Sequence, residues 1–296
     1  MGLRVNPTYR QRRFGAELRK VRERAGMSVA DAAALLGMRQ PQLSKIEAGR
    51  TGMSPERVRA LARAAGDIHD AYVDVLEDMA QDPGKGWWSR YRGVLGPSHL
   101  DLAELEADAV GLWNYEPMYV PGLLQTAGYA TAIHGGSYVE NPQAVRDQAV
   151  EFRMERQKVL VGECAPHIHA IVHESALRVH WGGRTVMRDQ LLHLIEVSRL
   201  PNVTIQVFPL DTERGVAFNH AFMVIEPNVT ELSTVSVDQL GMSEYLGDQE
   251  VVGGYRDTFG KLAELALPQV DAASAPEARR AKDSLGLIQH ILYPLL

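Results

Sequence analysis

Gly26, Gly37 and Gly49 divide the first fifty residues into short segments whose apolar side chains fall on one helical face, so the chain opens as a set of short packed helices. From Gln11 to Ala25 that face is Phe14, Leu18, Val21 and Ala25, while Arg12, Arg13, Arg19, Lys20, Arg22 and Arg24 occupy the other faces. Ser28, followed three residues later by Asp31, forms a capping-box start for a second helix through Ala32, Ala33, Leu35 and Leu36. A third runs from Arg39 to Ala48, with Leu43 and Ile46 inward and Gln40, Gln42, Ser44 and Lys45 mostly outward. Pro41 fits only in the first turn of that helix, where its missing N–H has no intrahelical partner to lose. Ser54-Pro55-Glu56 opens a fourth helix that buries Val58, Leu61 and Ala62, and Tyr72, Val75, Leu76 and Met79 mark a fifth.

Charge separates this segment from the rest of the 296 residues. Residues 1–66 hold 14 Lys and Arg against 5 Asp and Glu; residues 67–296 hold 17 against 32. A head of +9 on a body of −15 is the balance expected of a polyanion-binding module joined to a part that should not stick to phosphate. The single cysteine, Cys164, excludes an intramolecular disulfide, and no apolar run reaches the ~18 residues of a bilayer span. With no signal-peptide pattern behind MGLRVNPTYRQRRFG, the expected location is the cytoplasm, at the nucleoid.

The stretch MSVADAAALLGMRQPQLSKIEAGR resembles the lambda-repressor/Cro-type (XRE) helix-turn-helix family in its small residues, its Gly37 turn and its Leu43-Ser44-Lys45-Ile46-Glu47-x-Gly49 ending. The resemblance implies that the third helix reads double-stranded DNA: Gln40, Pro41, Gln42 and Lys45 face base edges, and Arg39 and Ser44 lie near phosphates. Glutamine can pair with adenine through two hydrogen bonds and lysine can reach guanine acceptors or phosphate, whereas Pro41 offers only shape or a thymine-methyl contact. Val29 and Ala48 stand where relatives commonly have Gln and Asn that contact the DNA backbone, so phosphate anchoring must come from Arg10, Arg12, Arg13 or Arg50. One such unit covers one half-site, which calls for a homodimer on a paired operator.

Pro and Gly cluster in Gln81-Asp82-Pro83-Gly84-Lys85-Gly86, giving a head at 1–80, a linker at 81–86 and a second domain at 87–296. In the second domain, helical patterns run from Leu100 to Leu112, Leu123 to Ala132, Val145 to Val161 and Val186 to Leu200, with two more near Tyr255 to Leu267 and Pro276 to Leu292. Strand patterns occupy His167 to His173, Val203 to Phe208 and Ala221 to Ile225. The chain thus reads as multidomain: an all-α helix-turn-helix head followed by an α+β or α/β domain. LEADAVGLWNYEPMYVPGLLQTAGYA, RMERQKVL, IVHESALR, MRDQLLHLIEVSRLPNVTIQVFP and SEYLGD resemble the long C-terminal domain that follows an XRE helix-turn-helix in many actinobacterial regulators. That resemblance implies transcriptional regulation, often beside a small companion protein encoded nearby, and no defined ligand.

Residues able to carry other chemistry are few. His167, His169 and His173 share one face of a strand, a spacing that can ligate a metal, but no further ligand is fixed and no metal is expected. Glu174 stands at a strand-to-helix join, suited to capping or a salt bridge, and Cys164 reads as a buried or semi-buried small residue. Trp87, Trp88, Tyr91, Trp113, Tyr115, Tyr119 and Tyr129 are dense around a Pro-Gly loop and form either core or a small-molecule pocket. No nucleotide-binding glycine motif, nucleophile elbow or zinc-protease motif occurs, so no cofactor and no enzymatic activity are expected. The alternatives are an enzyme acting on a small molecule or nucleotide with a DNA-targeting head, and an antitoxin-like interaction module.

Overall fold

The computed structural model describes residues 6–81, 86–136, 141–212, 220–239, 242–273 and 282–296. The chain divides into two compact units: Met1–Arg90 with Leu100–Leu105 and Val229–Glu231, and Tyr91–His99 with Glu106–Asn228 and Leu232–Leu296.

The first unit contains α1 (Tyr9–Arg24), α2 (Val29–Leu35), α3 (Gln40–Glu47), α4 (Pro55–Ala64) and α5 (Asp70–Gln81). Phe14, Leu18, Leu43, Ile46, Leu61 and Leu76 are its fully buried centre. Helix α1 begins earlier than its apolar pattern, because Thr8 and Gln11 form a reciprocal capping box. Ser28 and Asp31 form the expected box on α2, and the Ser28 hydroxyl and N–H hold the Asp31 carboxyl below its ordinary range. Gly37 takes φ +60°, donating to the Ala34 carbonyl while Met38 N–H reaches back to Ala33, which turns the chain from α2 into α3. Ser54 makes no side-chain cap bond, so Pro55 sets the start of α4; on α5, Val73 is buried in place of Val75. Arg13 and Arg22 point inward instead of joining the basic exterior: Arg13 lies 2.8 Å from Glu17 and Arg22 is taken up by Glu47.

The elements that follow are α6 (Pro97–Ala107), β1 (Ala109–Glu116), α7 (Ala127–Gly135), α8 (Gln143–Arg156), β2 (His167–His173), α9 (Glu174–Arg178), α10 (Arg184–Val197), β3 (Val203–Phe208), β4 (Phe222–Pro227), β5 (Thr234–Gln239), β6 (Met242–Leu246), α11 (Gln249–Leu265) and α12 (Ser284–Leu292). The six strands make one mixed sheet in the order β3-β2-β1-β4-β5-β6: β1, β2 and β3 are parallel, and β4, β5 and β6 run antiparallel to their neighbours. One face of the sheet, with Tyr115, Ile171, Phe222, Val224 and Val235, packs on Val252, Phe259 and Leu262 of α11.

The helical pattern from Leu100 to Leu112 is corrected by the structure: the helix ends at Ala107 and Ala109–Glu116 is β1, a central strand. Two further strands, β5 and β6, had no counterpart in the sequence reading. The helix near Leu123 begins at Ala127, after Thr126 caps it, and Gly122–Leu124 is a 3₁₀ turn. Helix α11 starts at Gln249 under an Asp248 cap, and of the last expected helix Ser284–Leu292 is helical, residues 274–281 lying outside the described residues.

Candidate nucleic-acid interface

Helix α3 is held by its inward residues and presents the rest. Leu43 and Ile46 are buried, whereas Arg39, Gln40, Pro41, Gln42, Ser44, Lys45 and Arg50 are all exposed. Pro41 lies in the first turn of α3, and Arg39 at the N-cap makes no side-chain hydrogen bond, so the first N–H groups of the helix have no side-chain acceptor from their own cap. Beside α3 runs a groove of about 830 Å³ lined by Pro41, Gln42 and Lys45 of α3 together with Thr51, Ser54 and Arg57.

The C-terminal end of α3 is fixed by a buried ion pair. Arg22 Nε donates to Glu47 Oε1 at 2.6 Å and Arg22 Nη2 to Glu47 Oε2 at 3.2 Å, while Arg22 Nη1 donates to the Met27 carbonyl at 2.8 Å. This planar two-bond grip fixes direction as well as distance, and the bonds to Glu47 hold the Arg22 guanidinium above its ordinary pKa against the opposing effect of burial. Glu47, a part of the helix-turn-helix pattern with no base-reading role, thereby orients the helix that carries the outward polar residues.

Of the arginines considered for phosphate anchoring, Arg13 is buried and cannot serve; Arg12 and Arg50 are exposed and Arg10 is half-buried. Arg57, which lines the same groove as Gln42 and Lys45, was not singled out in the sequence; it sits in the first turn of α4, on a different helix from the other candidates.

The second unit disperses the other candidates. His169 bonds Gln206 at 2.6 Å and packs edge-on against Phe259, His173 caps α9 and stacks on Phe208, and His167 is exposed. Among the described residues no group of three or more His, Cys, Asp and Glu is placed to hold a metal. Glu174 pairs with Arg178 and accepts from the Leu210 N–H at 2.9 Å. Cys164 is exposed, correcting the buried or semi-buried reading: it falls in the turn that precedes β2. The aromatic set splits: Trp113 and Tyr115 pack towards α11, Tyr119 pairs with Trp181, Tyr91 packs on Phe152, and Tyr129 is buried with its hydroxyl accepting from the Val120 N–H. No helix among the described residues is long and apolar enough to cross a membrane.

Comparison with known proteins agrees with this division of the chain. A helix-turn-helix domain family matches residues 13–66, the span that takes in most of α1 and all of α2 to α4. Searches of curated proteins and of solved structures return no match. A second family, described as a domain of unknown function (DUF5753), matches residues 100–275; with more than half of its length accounted for in this way, the chain belongs to the DUF5753 family.

Proposed function

We propose that the protein is a sequence-specific DNA-binding transcriptional regulator that acts as a homodimer, without catalysis, and whose second unit senses a small ligand or docks a companion protein. The observation that carries this reading is α3 itself: its exposed residues are polar or basic, its orientation is fixed from α1 by Arg22 and Glu47, and the surrounding segment has a charge of +9. Two copies would set two such helices into successive major grooves about 34 Å apart, the geometry of a paired operator. Gln42 and Lys45 then contact base edges, and Arg39, Ser44 and Arg50 hold phosphates.

Fluorescence anisotropy with duplexes tiled across the upstream region of the gene tests the proposal. The expected result is one tile bound about a thousandfold more tightly than random duplex, with both affinities falling as salt rises. Gln42→Ala is expected to weaken that tile by roughly tenfold or more while leaving random DNA unaffected, because a two-bond glutamine–adenine contact contributes about 1–3 kcal/mol of discrimination. Lys45→Ala lowers affinity and, where its contact is to phosphate, flattens the salt slope by about one. Unchanged affinity and selectivity in both variants would place the reading surface elsewhere.

A further inference from the structure

The first compact unit takes in a segment that the sequence places far from its helices: Val229–Glu231, in the turn between β4 and β5. These strands pair antiparallel from Phe222 with Val237 to Ile225 with Thr234, and Val224 and Val235 belong to the core that includes α11. A shift of one strand against the other therefore passes along the chain into the turn. Val229 in that turn is buried, and the Glu231 side chain is half-exposed.

Glu231 is held at two points. Its carbonyl accepts from Arg13 Nη2 of α1 at 2.9 Å, and its Oε1 lies 2.7 Å from Nε2 of His69, the residue that precedes α5. His69 Nδ1 accepts from the Tyr72 N–H at 3.2 Å, which leaves Nε2 as the protonated nitrogen and the donor to the carboxylate. The grip thus requires no charge on the ring. From His69 the contacts close into a circuit: the Tyr72 hydroxyl donates to Glu17 Oε2 at 2.7 Å, and Glu17 Oε1 lies 2.8 Å from Arg13 Nε. Arg13 and Glu17 are buried, so taking the turn away would strip a buried guanidinium of a carbonyl acceptor.

Arg13 also stands where α1 has no slack against α3. Two residues further along α1, a Cβ added at Gly15 would lie 2.4 Å from the Glu47 carbonyl oxygen; one residue back, the Arg12 Cα would lie 2.9 Å from a Cβ added at Gly49. Backbone meets backbone on both sides of Arg13, so a displacement of α1 at this point is passed to the end of α3 instead of being absorbed by side chains. The reading surface stays open with the turn in place, since Gln40, Gln42 and Lys45 are exposed. The docked turn is therefore permissive, not inhibitory.

We propose that the β4–β5 turn is the regulatory link to the reading helix: docked on Arg13 and His69 it holds α1 where α3 is set for the operator, and an effector that shifts β4 against β5 releases it. The inference rests on the regulator reading above and supplies the route by which the sheet reaches DNA recognition.

Exchanging the charges of the Glu231–His69 pair in the full chain tests it. Glu231→Lys sets a cation against Arg13 and His69 and is expected to weaken operator binding about tenfold, losing the pair and adding a repulsion. Random-duplex affinity should hold or rise, because the variant gains two positive charges. The half-exposed side chain makes a folding failure improbable to begin with, and an unchanged circular dichroism spectrum and Tm check it. His69→Asp keeps an acceptor for the Tyr72 N–H and alone also weakens operator binding, as two carboxylates then face each other. Combined with Glu231→Lys it restores an opposite-charge pair and should recover most of the operator affinity, although it lowers the positive charge. By reciprocity, operator binding is expected to slow hydrogen exchange at the Val229–Leu232 amides several-fold, and random duplex is not. Operator affinity that holds or rises in Glu231→Lys, no recovery in the double variant, or turn exchange unchanged by operator overturns the proposal and leaves the regulator reading standing. A wild type that selects no tile overturns both, so the two failures are told apart by the wild type alone.

Discussion

Replacing Arg156 with leucine is expected to destabilise the second unit by about 3–5 kcal/mol, because it strands a buried carboxylate. Arg156 Nε and Nη2 donate to the two oxygens of Glu106 at 2.8 and 2.5 Å, and the side chains are only 7% and 2% exposed. Burial alone would lower the Arg156 guanidinium, yet Glu106 more than reverses this and holds it above its ordinary value. At about 2–4 °C per kcal/mol for a domain of this size, the variant should unfold roughly 10 °C below the wild type in calorimetry. The double variant Arg156→Leu with Glu106→Leu discriminates between the two costs in play. If the penalty is the uncompensated charge, removing the second charge recovers most of the loss, since an apolar pair of similar volume is often no less stable than a buried ion pair. A single-variant loss below about 1 kcal/mol would mean that water reaches Glu106 and that the pair behaves as a surface salt bridge.

The same residue shows what was hidden in the sequence. Arg146, Arg153, Arg156 and Lys158 read together as the basic side of a helix, but the fold sends Arg156 to Glu106 and Arg153 to Gln125 and leaves Lys158 exposed beside Glu155. Nothing local distinguishes them, because their partners lie tens of residues away on other elements. Arg22 was misread in the first unit for the same reason, since Glu47 lies on another helix. The helices of the head were legible because each exposes one face to solvent, so the apolar period of 3.6 is written in the chain and glycines and caps mark the ends. Strand β1 was not legible: it is central in the sheet, its burial does not alternate, and Leu100 to Ala107 before it is a true helix whose pattern ran on into the strand. Thr234–Gln239 mixes polar residues into a buried strand, and those polar residues belong to the face on which Glu116 lies. The third helix and its outward polar residues, carried by one element, could be found from spacing. The partners of Arg153 and Arg156, which lie on other elements, could not.

Adding a single methyl group at Gly15 is expected to disable DNA recognition without touching any residue that reads DNA. In the middle of α1, alanine should be favoured over glycine by about 1 kcal/mol through helix propensity alone. Opposing this, a Cβ at residue 15 would lie 2.4 Å from the Glu47 carbonyl oxygen and 2.7 Å from that of Ile46, both backbone atoms at the end of α3 that no rotamer change can move. Relief requires α1 and α3 to separate by about 1 Å, and overpacking of this kind costs about 1–3 kcal/mol, enough to outweigh the propensity gain. The separation also strains the Arg22–Glu47 grip, whose Nε–Oε1 bond is only 2.6 Å long. Gly15→Ala should therefore lower the Tm of the head and reduce selectivity for the operator by about a hundredfold, while the salt-dependent affinity for random DNA, which depends on charge and not on the orientation of α3, persists. Gly254→Ala is the control: it lies in α11 with nothing within 4 Å of the added carbon, so propensity acts unopposed and the variant should be stabilised by about 0.5–1 kcal/mol. If Gly15→Ala is stabilised as Gly254→Ala is and still selects the operator, α1 and α3 do not meet as closely as these distances require, and the orientation assigned to the reading helix is wrong.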